Sequence, residues 1–503
     1  MNGRKTPVCI CLTGRTISED LSILDEQRSY VDMVELRADF LDPSEKLNIR
    51  DFPEKAGLPC ILTVRRRCDG GNFTDGEGAR LVMMAKAISF AKKDSKANFA
   101  YIDLEDDFHV DTLEEACRTF GTRIIRSCHY LDGVPENLDE IWDNLSEEDD
   151  VIPKLAVTPP DSTELARFLQ WSATLPDREK ILMVMGEVGV PARILAGRLG
   201  SMLTFASVPS SGATWAAPGQ LSPQVLSTIY RSHEVDDKSD CYVLLGAKSI
   251  IGSMSPFLHS RAFRDAGKDA LMVPLPSDSI KAALENVRFF GAKGAAVTVP
   301  FKEEVLPFLT FQSVDVQHIG ACNTIVFRDD GLAGYNTDAD GFERSALEFL
   351  NRADFRGMKV TLLGAGGAAK SVALALYRKG AECIILNRTI STARALARKY
   401  GFRWGPLDDR AMDLIAEYSD LIVQATSIGM QGGPGGDPLS FYEFDGHERV
   451  FDLIYNPGKT QVLKRAEAAG CQILNGYRML CYQAAGQYRL WMGEEPPDSY
   501  FAV

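Results

Sequence analysis

Short apolar runs of five to seven residues recur through the first 228 positions, separated by longer stretches in which apolar residues return every three or four places. Continuous runs rich in Val, Ile and Leu predict strands buried on both faces, and the spaced stretches predict amphipathic helices. Eight strands are predicted: Val8–Thr13, Met33–Arg37, Cys60–Arg65, Phe99–Glu105, Arg123–His129, Ile152–Val157, Ile181–Met185 and Met202–Ala206. Eight β/α units in about 220 residues match the count and size of a small (β/α)8 barrel, with an open doubly wound sheet as the alternative.

The sixth run, Val151 to Val157, contains Lys154, which packing alone does not explain. Loss of water disfavours the ammonium form and pushes a buried lysine towards a neutral amine able to attack a carbonyl. The alternative is a snorkelling or ion-paired lysine at a strand end. Barrel enzymes place their chemistry at the C-terminal ends of the strands, where the runs close with Glu35, Arg37, Arg65, Glu105, His129 and Lys154. Glu35 and Arg37 are two apart and share a strand face. A lysine imine acidifies the neighbouring carbon, and a histidine has the proton affinity to move that proton. Arg65 and Arg193 offer planar forks for a substrate carboxylate. The set suits imine-assisted elimination, an aldol-type reaction or decarboxylation.

Residues 231–240 are polar and aperiodic and read as a linker; a new strand starts at Cys241. Further on, Lys359 to Leu363, the turn Gly364-Ala365-Gly366-Gly367-Ala368 and the helical stretch after it follow the strand, glycine turn and helix order of a dinucleotide site. The next strand ends in Asn387-Arg388-Thr389, with no acidic residue for a free ribose hydroxyl. Arg388 can pair with a 2′-phosphate, favouring NADP over NAD, unless it is merely a surface arginine. Between linker and turn stand Ser253-Met254-Ser255-Pro256, Thr298 to Lys302, Asn323-Thr324 and Asn336-Thr337-Asp338. Lys302 and Asp338, if brought together, share a proton near a reacting carbonyl. Individually, Ser-x-Ser-Pro also reads as a turn and Asn-Thr-Asp as a helix cap.

Composition narrows the classes. The 503 residues are 45% hydrophobic and 25% charged, as expected of several globular domains. A net charge of -14 argues against nucleic-acid binding. No apolar stretch reaches the roughly 20 residues of a membrane span, and a strand begins so early that no signal or transit peptide is expected. The 11 cysteines are scattered, without zinc-type pairs, which suits a reducing cytoplasm.

Val34-Glu35-Leu36-Arg37, Thr63-Val64-Arg65, Ser127-Cys128-His129, Pro153-Lys154-Leu155 and Ala217-Pro218-Gly219-Gln220 together resemble type I 3-dehydroquinate dehydratase. That resemblance implies a Schiff-base role for Lys154, acid/base work for His129, and substrate contacts from Glu35, Arg37, Arg65, Arg193 and Gln220. Three positions depart from the family pattern: Cys11 and Ala216 stand where serine is frequent, and Asp69 where a glutamate supports the histidine.

The second half resembles shikimate dehydrogenase, through the motifs above and Gln424 to Ser427, Asp452 to Tyr455 and Gly476 to Gln483. It implies that Lys302 and Asp338 are catalytic and that Ser253, Ser255, Thr298, Asn323, Tyr455 and Gln483 hold a polyol acid. It also implies that Gly364, Ala365, Gly366, Gly367, Ala368, Asn387, Arg388, Thr389, Thr426, Leu453 and Gly476 line an NADP site, and it implies no metal. Thr392 stands where a second basic residue is frequent, and Gly252 where histidine often precedes the first serine.

The expected architecture is α/β throughout: a (β/α)8 TIM barrel over 1–230, the linker 231–240, a substrate-binding domain over 241–345, a Rossmann domain over 355–475, and a C-terminal helix over 476–503 returning to the substrate domain. The expected function is a shikimate-pathway enzyme, monomeric or homodimeric, that dehydrates 3-dehydroquinate and reduces the product with NADPH. A quinate-preferring or NAD-using second half, and a metabolite-sensing regulator without turnover, are the alternatives. A regulator is expected to lack one or more of Lys154, His129, Lys302 and Asp338, and all four are present.

Overall fold

The computed structural model describes residues 6–89, 94–209, 219–236 and 238–501. Its chain divides into two compact units, Met1–Cys241 with Ala270–Ala292, and Tyr242–Asp269 with Lys293–Val503.

The first unit is built on eight strands: β1 (Val8–Leu12), β2 (Met33–Arg37), β3 (Cys60–Thr63), β4 (Tyr101–Glu105), β5 (Arg123–Tyr130), β6 (Ile152–Val157), β7 (Ile181–Val184) and β8 (Thr204–Ser207). They form one ladder in the order β7-β6-β5-β4-β3-β2-β1-β8, every pairing parallel. This is a near-closed α/β barrel, as the run pattern predicts; several strands end one or two residues earlier than their apolar runs.

Because successive strand residues alternate in direction, every second residue enters the barrel. The lower interior is apolar, filled by Cys9, Met33, Ile61, Tyr101, Ile125, Ile152 and Ile181. One step up each strand the same parity carries Cys11, Glu35, Thr63, Asp103, Ser127 and Lys154. A step further it carries Arg37, Arg65, Glu105 and His129. The alternation thus stacks a polar layer on an apolar floor, at the C-terminal end of the strands. The unit also contains β10 (Ala270–Pro276) and the helix Ile280–Phe289. Asp278 accepts from Ser162 N at 3.2 Å, and Asn286 donates to Ser162 O at 3.0 Å, at the start of the barrel helix Ser162–Ser172.

In the second unit, β9 (Asp240–Gly246), β11 (Ala292–Val297), β13 (Thr324–Arg328), β14 (Gly331–Tyr335) and β12 (Phe311–Gln312) lie side by side in that order. Here β13 runs antiparallel to β11 and β14. A second sheet follows from β15 (Lys359–Leu363), β16 (Glu382–Asn387), β17 (Arg403–Pro406), β18 (Leu421–Gln424), β19 (Arg449–Asp452) and β20 (Gln472–Leu474). Its order, β17-β16-β15-β18-β19-β20, is wholly parallel. The direction of winding reverses between β15 and β18, which opens a crevice at their C-terminal ends, the Rossmann arrangement. Phe342, on the helix Asp338–Leu350, stacks on Phe451 at 5.4 Å and anchors that helix to the parallel sheet. The same helix packs along the C-terminal helix Tyr477–Met492. Among the described residues, no helix is long and apolar enough to cross a membrane.

Candidate active sites

Lys154 is not alone in its strand. Its Nζ lies 2.6 Å from Asp103 Oδ2 and 4.7 Å from the centre of the Phe205 ring, with the side chain only 6% exposed. The lysine is ion-paired, as the alternative reading of the strand allowed: β4, two strands away in the ladder, supplies the carboxylate. Asp103 also accepts from Arg65 Nη2 at 2.8 Å and from Ser127 Oγ at 2.5 Å. Burial opposes its charge, yet the Arg65 and Lys154 cations outweigh burial and hold the carboxyl well below the usual carboxylate range. Arg65 reaches Glu105 Oε1 at 2.8 Å and Ser127 Oγ at 3.1 Å, so its fork is engaged by protein groups. Glu105 in turn pairs with Arg80, a wholly buried arginine 4.2 Å above the Phe108 ring.

A second cluster forms around Glu35. Thr63 Oγ1 donates to its Oε1 at 2.7 Å and Cys11 Sγ to its Oε2 at 2.9 Å. Gln220 Nε2 reaches Cys11 Sγ at 3.6 Å, joining the last of the barrel motifs to the first. Burial first, then Glu35, hold the Cys11 thiol protonated, so it acts as a donor here. Arg37 is gripped by both oxygens of Asp39 at 2.9 and 2.8 Å. Arg193 is fully buried, and burial pulls its guanidinium down to about 10. Ala216, Ala217 and Pro218 lie outside the described residues.

His129 ends the inward face of β5. Burial, then the charges of Arg65 and Lys154, push its imidazole well below its ordinary value, so it is neutral at physiological pH. Its Nδ1 is buried with no hydrogen-bond partner among the described residues. Asp69 does not supply one, since its carboxylate turns to Arg66 Nε at 2.6 Å. The histidine is therefore tuned by the Arg65, Lys154 and Asp103 charges.

In the second unit Lys302 Nζ meets Asp338 Oδ2 at 2.6 Å. Asn336 Oδ1 accepts from Asp338 N at 3.0 Å, and the Asp338 carboxylate, on the first residue of its helix, faces Lys302. Asn323 Nδ2 donates to Asp338 Oδ1 at 2.8 Å and to Gln483 Oε1 at 3.4 Å. Lys302, Asp338, Asn323 and Gln483 therefore form one cluster. Ser253 Oγ accepts from Ser255 N at 3.2 Å where the Ser-x-Ser-Pro turn opens the helix Ser255–Asp265. Thr298 follows β11, its N–H bonded to Leu245 O at 2.8 Å, and Tyr455 is half-buried in the loop after β19. Among the described residues, Ser253, Ser255, Thr298 and Tyr455 are not bonded into the lysine–aspartate cluster.

The glycine turn lies beside that cluster. Gly364, at φ +106°, adopts a backbone favourable only to glycine, and a Cβ on Gly367 would stand 3.5 Å from Lys302 Cδ. Gly366 starts the helix Gly367–Arg378 with no side-chain cap, and a Cβ there would meet nothing within 4 Å. The buried Ala365 and the first-turn Ala368 add no polar group, which leaves the uncapped helix start free of side chains that would compete with a pyrophosphate. Arg388 and Thr389 are exposed at the end of β16, with Asn387 Nδ2 bonded to Thr389 O at 3.1 Å. Thr426 sits against Gly364, and Gly476 packs so tightly that a Cβ would fall 1.9 Å from Leu453 O. These residues fit the nucleotide proposed from the motif.

Asp103 and Arg80 belong to these clusters but escaped sequence reasoning, and Ser127 entered it only as part of a motif. Asp103 had a readable signal, standing two residues before Glu105 and so on the same inward face. Arg80 had none, being a helix residue within an otherwise ordinary amphipathic pattern.

Residues 8–237 match the family model of type I 3-dehydroquinase. Residues 245–325 match the shikimate dehydrogenase substrate binding domain, 346–430 shikimate / quinate 5-dehydrogenase, and 476–501 the shikimate 5'-dehydrogenase C-terminal domain. A bifunctional 3-dehydroquinate dehydratase/shikimate dehydrogenase, chloroplastic, of Arabidopsis thaliana is 28% identical over 99% of this chain and 84% of its own length. NADP(+) shikimate dehydrogenases of Methanothermobacter thermautotrophicus and Halothermothrix orenii are 40% and 37% identical. These cover 49% and 48% of this chain and 88% of each relative.

Removing Asp103 strands two buried cations. Asp103→Ala is expected to destabilise the first unit by about 3–5 kcal/mol in denaturant unfolding. Because the folded carboxyl binds its proton less readily than the unfolded one, the wild-type advantage is present above pH 3.8 and is lost as pH falls below it. A loss under about 1 kcal/mol at pH 7 would show that the cluster is solvated.

Proposed function

Since the chain belongs to the shikimate dehydrogenase family and carries a type I 3-dehydroquinase half ahead of it, we propose that Lys154 and the Lys302–Asp338 pair carry out its two consecutive steps. The first dehydrates 3-dehydroquinate, and the second reduces the resulting 3-dehydroshikimate to shikimate. The observation that carries the residue assignment is that each half presents a lysine paired with a carboxylate at 2.6 Å, one on a barrel rim and one beside a glycine turn.

In the first site Lys154 gives up its proton and adds to the ketone carbon, and water leaves to form an imine. The neutral His129 takes a proton from the adjacent carbon and returns one to the hydroxyl one carbon further, which departs as water. Hydrolysis of the imine frees Lys154. Glu35, Arg37, Arg65, Arg193 and Gln220 hold the substrate hydroxyls and carboxylate, with Arg65 exchanging protein carboxylate for substrate carboxylate as the ligand enters. Asp103 positions Lys154 and balances its charge.

In the second site Ser253, Ser255, Thr298, Asn323, Tyr455 and Gln483 hold the polyol acid, and Lys302 with Asp338 delivers a proton to the ketone oxygen. NADPH, when bound, supplies the hydride to the same carbon. The uncapped helix start at Gly366 and Gly367 would hold the pyrophosphate, with Asn387, Arg388 and Thr389 around the 2′-phosphate. Arg388, exposed and without a neighbouring acidic residue in its motif, supports NADP over NAD. All 11 cysteines are free, which supports a reducing compartment such as the cytoplasm.

Borohydride reduction in the presence of 3-dehydroquinate, followed by peptide mass mapping, is expected to leave the adduct on the peptide containing Lys154; an adduct elsewhere excludes the assignment. For the second half, shikimate with NADP+ is expected to outrun quinate with NADP+, and shikimate with NAD+, by at least about tenfold in kcat/KM. Equal or faster turnover of quinate reassigns the substrate, and equal use of NAD+ removes the role given to Arg388.

A further inference from the structure

Asn323 does not hold Asp338 unaided. Its backbone carbonyl accepts from Gln487 Nε2 at 3.1 Å, and Gln487 Nε2 also donates to Thr324 Oγ1 at 3.2 Å. Thr324 Oγ1 in turn donates to Asn323 Oδ1 at 2.7 Å. On its other side Gln487 Oε1 lies 3.0 Å from His259 Nε2, and His259 Nδ1 lies 2.6 Å from the hydroxyl of Tyr500. His259, Thr324 and Tyr500 are wholly buried, and Asn323 and Gln487 are 2% exposed.

The donors in this chain are fixed by chemistry. A backbone carbonyl can only accept, so the Gln487 amide nitrogen must face Asn323 O, and its oxygen must face His259. That oxygen also only accepts, so His259 carries its proton on Nε2. Its Nδ1 is then an acceptor, and Tyr500 must donate to it. Every donor consequently points the same way, from the Tyr500 hydroxyl through His259, Gln487 and Thr324 to Asn323, whose amide nitrogen donates to Asp338. Aligned chains of this kind strengthen their own links in a dry interior. Burial pulls the imidazole down to about 3, which keeps it neutral, as the chain requires.

The same imidazole also joins two elements. It belongs to the helix Ser255–Asp265, whose first residue is Ser255, while Gln487 stands one turn beyond Gln483 on the helix Tyr477–Met492. Trp491 and Tyr500 flank the ring at 5.0 and 5.5 Å, so it has little freedom to turn.

We propose that Tyr500 and His259 are positioning residues of the dehydrogenase site: Tyr500 locks the His259 tautomer, and His259, through Gln487, sets the Asn323 amide that aims Asp338 at Lys302. The proposal rests on Lys302 and Asp338 being the catalytic pair, which a Lys302→Ala variant tests separately in the same assays.

Tyr500→Phe removes only the hydroxyl and keeps the ring. His259→Leu removes the Nε2 donor, and His259→Gln restores an N–H at that position. In the full-length chain, Tyr500→Phe and His259→Leu are expected to lower kcat/KM for shikimate by about tenfold, with KM for NADP+ within twofold of wild type. His259→Gln is expected to recover most of the loss. The dehydratase activity, measured on the same preparations, reports intact folding and is expected to be unchanged. Unaltered shikimate kinetics in both Tyr500→Phe and His259→Leu overturn the proposal. So does failure of His259→Gln to recover activity, or a loss shared equally by shikimate turnover, NADP+ affinity and dehydratase activity. If Lys302→Ala retains wild-type turnover, the catalytic assignment fails instead.

Discussion

A charge in a protein interior is tolerated only when another charge or an aligned set of hydrogen bonds meets it, and both sites of this chain are organised by that requirement. In the barrel, Asp103 stands between Lys154 and Arg65, and Glu105 between Arg65 and Arg80. Cations and carboxylates alternate through the polar layer, and the neutrality of His129 follows first from its burial and then from the cations beside it. In the second unit Asp338 is met by Lys302 on one oxygen and by Asn323 on the other. Each site thus holds a lysine paired with a carboxylate at 2.6 Å, Lys154 buried and Lys302 partly exposed.

The two folds meet the requirement differently. The barrel uses strand parity, which brings polar side chains from several strands into one layer above an apolar floor. The dehydrogenase half uses helix starts: Asp338 opens one helix, Ser255 opens another, and the glycine turn opens a third beside Lys302. Both arrangements address a ketone. On the proposed assignment, the imine at the first site would make a neighbouring proton acidic, and Lys302 with Asp338 would supply the proton to the carbonyl oxygen while NADPH, when bound, supplies hydride to its carbon.

Much of this was legible in the chain because it rests on short periods. The eight barrel strands, the glycine turn and the inward residues Glu35, Arg65, His129 and Lys154 follow from alternation and local motifs. What was not legible is non-local. Lys154 read as a candidate neutral amine because its partner Asp103 lies 51 residues away. Asp103 shares the inward face of Glu105, so alternation places it inside the barrel but does not tell which cations meet it. Asp69 stood at the position expected to support the histidine, but Arg66, three residues before it, captures the carboxylate. The bond between Tyr500 and His259 spans 241 residues, and neither residue carries a pattern that foretells it.

The central claim is that one chain performs two consecutive steps, the first through Lys154 and the second through Lys302 and Asp338. It is tested most directly by following NADPH consumption when the purified wild-type and Lys154→Ala chains are supplied with 3-dehydroquinate, then with 3-dehydroshikimate. The wild-type chain is expected to oxidise one NADPH per molecule of either compound, and the variant to oxidise NADPH only with 3-dehydroshikimate. NADPH consumption from 3-dehydroquinate by the variant, or none by the wild-type chain, would contradict the claim.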